Sequence, residues 1–160
     1  MTSHSELRAH LLEVLRGGHA HVTFDDAVAG LPASLRGTRP DQLPYSPWEL
    51  IEHIRISQRD ILDYTVAPDA ASYKETPWPE GHWPKTQAPP SAKAWDDSIA
   101  TIRADREEME RLVQNDDLFG AVPASKGTHT LLREAMMLAD HNSYHIGEIV
   151  AVRRLLGAWR

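Results

Sequence analysis

Apolar positions recur with helical spacing in four segments of the chain, separated by stretches rich in proline and glycine. In the first, Leu7, Leu11, Val14 and Leu15 fall at i, i+4, i+7 and i+8. Ser3 and Glu6 stand before them at capping-box spacing, and Gly17-Gly18 ends the run. The second opens on Ser46-Pro47-Trp48-Glu49, where Ser46 can cap, Pro47 suits the first helical position and Glu49 can close the box; it continues to about Val66. The third begins near Ser91, places Trp95, Ile99, Ile102, Met109 and Leu112 on one face, and ends around Asn115. The fourth runs from near Thr128 to Gly157 without a proline, roughly 29 residues or about 43 Å at 1.5 Å per residue.

The segments between these helices are not uniform. Thr23 followed by Asp26 and an apolar turn predicts a short helix around Phe24 to Ala29 in the first connection. The connection between the second and third helices carries Pro68, Pro77, Pro79, Pro84, Pro89 and Pro90, together with Trp78 and Trp83. A solvated linker has little use for tryptophans, so this loop is expected to pack on the body. Loops of this length cover a site or make a crossover. With no strand pattern, internal repeat or low-complexity tract, the chain reads as one all-α domain over residues 1–160. The expected architecture is a four-helix bundle with long crossover loops and short extra helices.

Composition narrows the function. The 160 residues hold 17 Lys plus Arg against 23 Asp plus Glu, a net charge of −6, and no basic stripe that would neutralise phosphates, so nucleic acid is not an expected partner. The longest apolar run, Ala135 to Ala139, is far short of the roughly 18 residues a membrane span needs. Glu6, Arg8, Glu13 and Arg16 interrupt the apolar positions of the first helix, unlike a secretory signal, so a cytoplasmic location is expected. The absence of cysteine rules out thiolate metal sites and cysteine nucleophiles, leaving nitrogen and oxygen as metal ligands. Nine histidines then become the informative residues.

On the fourth helix His141 and His145 are four residues apart, about 40° from each other on one face, where they interrupt the stripe of Leu138, Ile149, Val152 and Leu156. Buried there, they are costly unless partnered. On the second helix His53 stands beside the stripe of Leu50, Ile54 and Ile61, so a third imidazole points to the interior edge. Three such nitrogens on facing helices would form a bundle metal site with an open coordination position. A plain hydrogen-bonded histidine pair is the other reading of the same spacing. Glu148 and Glu134 share the face of His141 and are the better candidates to orient ligand imidazoles, with Glu52 and Asp140 bordering the rows. His19 and His21 form an HxH pair in the first connection, with His21 a candidate pocket residue. His4, His10, His82 and His129 lack a partner at ligand spacing and are expected to be exposed or capping, Tyr144 to pack, and Arg153-Arg154 to complement the helix dipole.

The strings LPYSPWELIEHIRISQRDILDY, PWPEGHWP and LADHNSYHIGEIVAVRRLLGAW resemble the DinB-like family of metalloenzymes, and the likeness covers nearly the whole chain. The resemblance implies an up-down-down-up four-helix bundle whose divalent metal is held by one histidine of the second helix and an HxxxH pair of the fourth, here His53, His141 and His145. It does not distinguish zinc, nickel, iron or manganese. Characterised relatives include transferases and isomerases that use low-molecular-weight thiols such as bacillithiol, mycothiol or glutathione. The resemblance therefore implies thiol-dependent S-transfer or isomerisation first, with metal-dependent hydrolysis and a non-catalytic metal-binding or structural bundle as alternatives. It also implies a small-molecule substrate and leaves a homodimer open.

Overall fold

The computed structural model describes residues 2–159, with side chains from His4 onward. Five α-helices follow in order: α1 (Thr2–Arg16), α2 (Phe24–Val28), α3 (Pro47–Val66), α4 (Ala92–Asn115) and α5 (Leu131–Leu155). Short 3₁₀ turns lie at Ala33–Leu35, Glu80–His82 and Pro123–Ser125. Among the described residues there is no strand, only an isolated bridge between Ala121 and Thr130, so the fold is all-helical.

The local signals explain most of the helix ends. Ser46 accepts from the Glu49 amide while the Glu49 carboxylate accepts from the Ser46 amide, and Pro47 takes the first helical position. Thr23 and Asp26 form the same reciprocal pair ahead of α2, and Ser91 caps α4. The expected Ser3–Glu6 box falls on a side chain outside those described. Gly17, at φ 72°, ends α1 in the left-handed conformation that glycine adopts without penalty. The last helix is shorter than its proline-free stretch. Thr130, not Thr128, caps it, because residues 123–130 are spent on a 3₁₀ turn whose hydrogen bonds run through Ser125.

Helix α3 packs against both α4 and α5, and α1 packs against the same two helices. Two apolar clusters fill the interior. One holds Trp48, Leu50, Ile51 and Ile54 of α3, Trp95, Ile99 and Ile102 of α4, and Ile146, Ile149 and Val152 of α5. The other holds Leu11 and Leu15 of α1, Leu62 of α3, Met109 and Val113 of α4, and Ala135 and Leu138 of α5. The expected stripes shift at Ile61 and Leu112, which sit half-buried while Leu62 and Val113 are fully enclosed, and Val14 of α1 is exposed. Between the clusters α3, α4 and α5 turn polar, at Ser57 and Gln58 on α3, Asp105 on α4, and His141 and Asn142 on α5. The candidate site lies along this polar layer.

The second crossover, residues 67–91, is pinned to α3 at Asp60. The Asp60 carboxylate accepts from the Tyr73 hydroxyl at 3.0 Å and from the Thr76 hydroxyl and amide at 2.7 and 3.3 Å, and His82 Nε2 lies 3.5 Å away. The expectation that both loop tryptophans pack holds for Trp83 and fails for Trp78, whose ring is 70% exposed and meets His82 edge-on. His82 is buried rather than exposed, because the loop folds it inward under Asp60.

Candidate metal centre

His53, His141 and His145 come together, their ligating nitrogens all within 4.8 Å of one another. His53 Nε2 lies 3.0 Å from His145 Nε2 and 3.1 Å from His141 Nε2. Packing of α3 on α5 makes the meeting, since one turn of α5 separates the HxxxH pair and His53 reaches it from across the helix interface.

A neutral imidazole owns one N–H and one lone pair. His53 donates its Nδ1–H to the backbone carbonyl of His82 at 2.7 Å, and a carbonyl can only accept. His145 donates its Nδ1–H to the Glu148 carboxylate at 2.8 Å. The Nε2 atoms of both rings are therefore bare, and two lone pairs face each other at 3.0 Å in a buried place. A proton does not resolve the conflict at neutral pH. Burial, and after it the neighbouring imidazoles, lowers the pKa of His141 to about 4. Burial and His53 lower His145 to about 4, and burial lowers His53 as well. A cation shared among the three nitrogens does resolve it. Metal bonds of about 2.0–2.1 Å require nitrogens about 2.9 Å apart at right angles and about 3.3 Å apart at tetrahedral angles. The observed spacing falls between, so the donor set fits a divalent ion without choosing its geometry.

Surrounding groups fix the rings. Trp83 stacks on His53 at 4.1 Å and 5° between planes, and Tyr45 stacks on the far face of Trp83 at 4.6 Å and 9°. Burial raises the Glu148 carboxyl above its usual range, which makes it the stronger base toward the His145 N–H. The Tyr144 hydroxyl hydrogen-bonds Glu148, while its ring, 65% exposed, meets His145 edge-on; it caps the site from solvent instead of packing in the core.

The other sequence candidates lie elsewhere. Glu134 is enclosed, but it pairs with Arg133 at 2.8 Å and His129 at 3.4 Å, two turns from the triad, so it orients no ligand. Glu52 is held by Arg55 and the Ser98 hydroxyl, and Asp140 points to solvent. His21 reaches Ser143 Oγ at 3.2 Å and lines a cavity of about 20 Å³ with Gln58 and Asn142, behind the ligand row and not in it. His19 lies on the surface groove beside it. His129 is half-buried against the Tyr64 hydroxyl at 2.8 Å. Arg153 and Arg154 both stand in the last turn of α5; Arg153 is buried and also donates to the carbonyls of Ala27 and Ala158, binding α2 and the residues after α5, while Arg154 is exposed.

Four contributors carry no ligand spacing and so escape a search for metal ligands: the His82 carbonyl, Asp60, Gln58 and Asn142. A backbone carbonyl leaves no mark in a sequence. Gln58 does leave one, because Leu50, Ile54, Gln58 and Leu62 follow at intervals of four along the interior row of α3.

The model of the DinB superfamily matches residues 19–149, a segment that contains all three histidines. The chain belongs to the DinB superfamily. No curated protein and no solved structure matches it. As a DinB-superfamily protein with a three-histidine group able to hold an ion, it has the makings of a metal-binding protein.

Proposed function

We propose that the chain is a divalent-metal-dependent enzyme that carries out S-transfer or isomerisation with a low-molecular-weight thiol, its ion held by His53, His141 and His145. The observation that carries the metal is the pair of bare Nε2 atoms facing each other at 3.0 Å, a contact that neutral imidazoles keep only around a cation. The long helices α1, α3, α4 and α5 are read as the up-down-down-up bundle of the family, with the crossover at Asp60 closing one side of the site.

A bound divalent ion supplies a Lewis acid that lowers the pKa of a thiol or water ligand. The chain's own residues do the rest. Glu148 holds the His145 N–H and keeps the proton off Nε2, and the His82 carbonyl does the same for His53. The Tyr45–Trp83 stack covers the His53 face and excludes water from it. With no cysteine in the chain, the thiol has to arrive as a small-molecule co-substrate. The family resemblance supports thiol chemistry over hydrolysis.

No helix among the described residues is long and apolar enough to cross a membrane, which accords with a small-molecule enzyme of the cytoplasm. Met136 and Met137, both exposed on α5, offer apolar surface to a homodimer. Elemental analysis of untagged protein beside His141→Ala tests the site. About one ion per chain, lost in the variant, is expected. Thiol-induced changes in the cobalt-substituted spectrum then separate an enzyme with an open position from a saturated structural site. Absence of metal after reconstitution refutes the reading.

A further inference from the structure

His141 lacks the carbonyl or carboxylate partner that its two neighbours have. Its Nδ1 lies 3.4 Å from Asn142 Oδ1. An asparagine side chain can present either a donor or an acceptor there, and the two choices have opposite consequences. An acceptor draws the ring proton to Nδ1 and leaves Nε2 free to ligate; a donor would leave the proton on Nε2, where it blocks an ion.

The orientation of Asn142 is settled away from the ligand rings, and in the metal-free protein its oxygen competes for the His141 proton with the bare Nε2 of His53, 3.1 Å from His141 Nε2. Asn142 Nδ2 donates to Gln58 Oε1 at 2.6 Å, and Gln58 Nε2 donates to the backbone carbonyl of Ile102 at 2.7 Å. The Ile102 carbonyl can only accept, so it orients the Gln58 amide with its NH₂ toward α4 and its oxygen toward α5. That oxygen can only accept, so it orients Asn142 with its NH₂ toward Gln58 and its oxygen toward His141. Gln58 is fully enclosed, so its amide is held by these two protein partners rather than by bulk solvent. Three helices thus share one directional chain that begins at a main-chain carbonyl of α4 and ends at a ring nitrogen of α5.

We propose that Gln58 and Asn142 are positioning residues that set His141 as the Nδ1–H tautomer and so hold its Nε2 ready for the metal. The inference rests on the metal reading above, while its effect on the ring proton stands apart from it. Gln58→Met keeps the length and apolar contacts of the side chain and frees the Asn142 amide to turn. Asn142→Leu, at a half-buried position, removes the last link and leaves Gln58 Oε1 without its donor. Asn142→Asp restores an acceptor to His141 though it loses the donor to Gln58.

The test uses the full-length protein in two states. In metal-free protein labelled with ¹⁵N-histidine, long-range ¹H–¹⁵N correlation reads the tautomer of each ring. His141 is expected to hold a larger share of Nδ1–H in wild type and in Asn142→Asp than in Gln58→Met and Asn142→Leu, where the Nε2–H form directed at His53 gains, with His53 and His145 unchanged. In zinc titrations against a competing chelator, Gln58→Met and Asn142→Leu are expected to bind about 10–100-fold more weakly, the range usual for partners of metal-bound histidines. Retention of the Nδ1–H pattern in both variants overturns the proposal. So does weakened binding with the tautomer unmoved, which would make the pair merely structural. If wild type binds no zinc, the metal reading fails and the tautomer data alone decide the relay. Should Gln58→Met not fold, Asn142→Leu against Asn142→Asp decides the same question.

Discussion

Two neighbouring stretches of the same helices are built on opposite rules. Around Leu62, Met109 and Leu138 the enclosed cluster is apolar throughout, and none of its members needs a particular partner. One to two turns along, α3, α4 and α5 enclose Gln58, His53, His145 and the Ile102 carbonyl, and each of these polar groups has an assigned partner. In the first stretch shape and volume decide stability, and substitution is graded. In the second the donor and acceptor count decides what the site can hold, and substitution is all-or-none at the ligands.

That contrast makes testable statements. Largest is the effect of His53→Ala on metal content: the ion is expected to be lost while far-ultraviolet dichroism stays helical, and retention of stoichiometric metal would remove His53 from the ligand set. Next is Leu138→Ala in the apolar stretch, expected to cost about 2–5 kcal/mol in denaturant unfolding of the metal-free protein. Its metal affinity should match wild type, since Leu138 belongs to the apolar cluster and not to the ligand shell; a large affinity loss would show the two stretches to be coupled.

Acid should separate them too. The three imidazoles have folded pKa values below the ordinary value of about 6.5, so the unfolded chain takes up protons first as the pH falls. Stability of the metal-free protein is therefore expected to drop progressively from about pH 6.5 to about pH 4, with a shallower slope in His141→Leu. A flat thermal-melting profile over that window would mean that the rings are solvated. Smallest is Glu148→Gln, which keeps an acceptor for His145 but drops the charge; about 10-fold weaker zinc binding is expected, with melting of the metal-free protein nearly unchanged.

How much of this is legible in the residues differs along the chain. The helix starts at Ser46, Thr23 and Ser91 are legible because capping is chemistry between near neighbours. The HxxxH pair is legible for the same reason, since one turn of helix fixes its geometry. That His53 meets it depends on α3 lying against α5, which spacing alone does not encode and which only the family resemblance anticipates. Glu134 shows the limit of face-based reasoning: it shares the side of His141, yet Arg133 and His129 stand nearer and claim it. His82 escapes side-chain reasoning altogether, because its carbonyl is the atom that acts on the site.

The hydrogen bond from His53 to that carbonyl has an uncommon genetic property. Any amino acid at position 82 still carries a main-chain oxygen, so a side-chain replacement there, whatever it costs beneath Asp60, leaves the acceptor of His53 in the chain. What the site cannot withstand is a change in the route of the chain: a residue inserted or deleted between Thr76 and Trp83 slides a different carbonyl, or none, beneath His53. Exchange of the amide at that carbonyl for an ester would expose the dependence by weakening the acceptor while leaving every side chain in place.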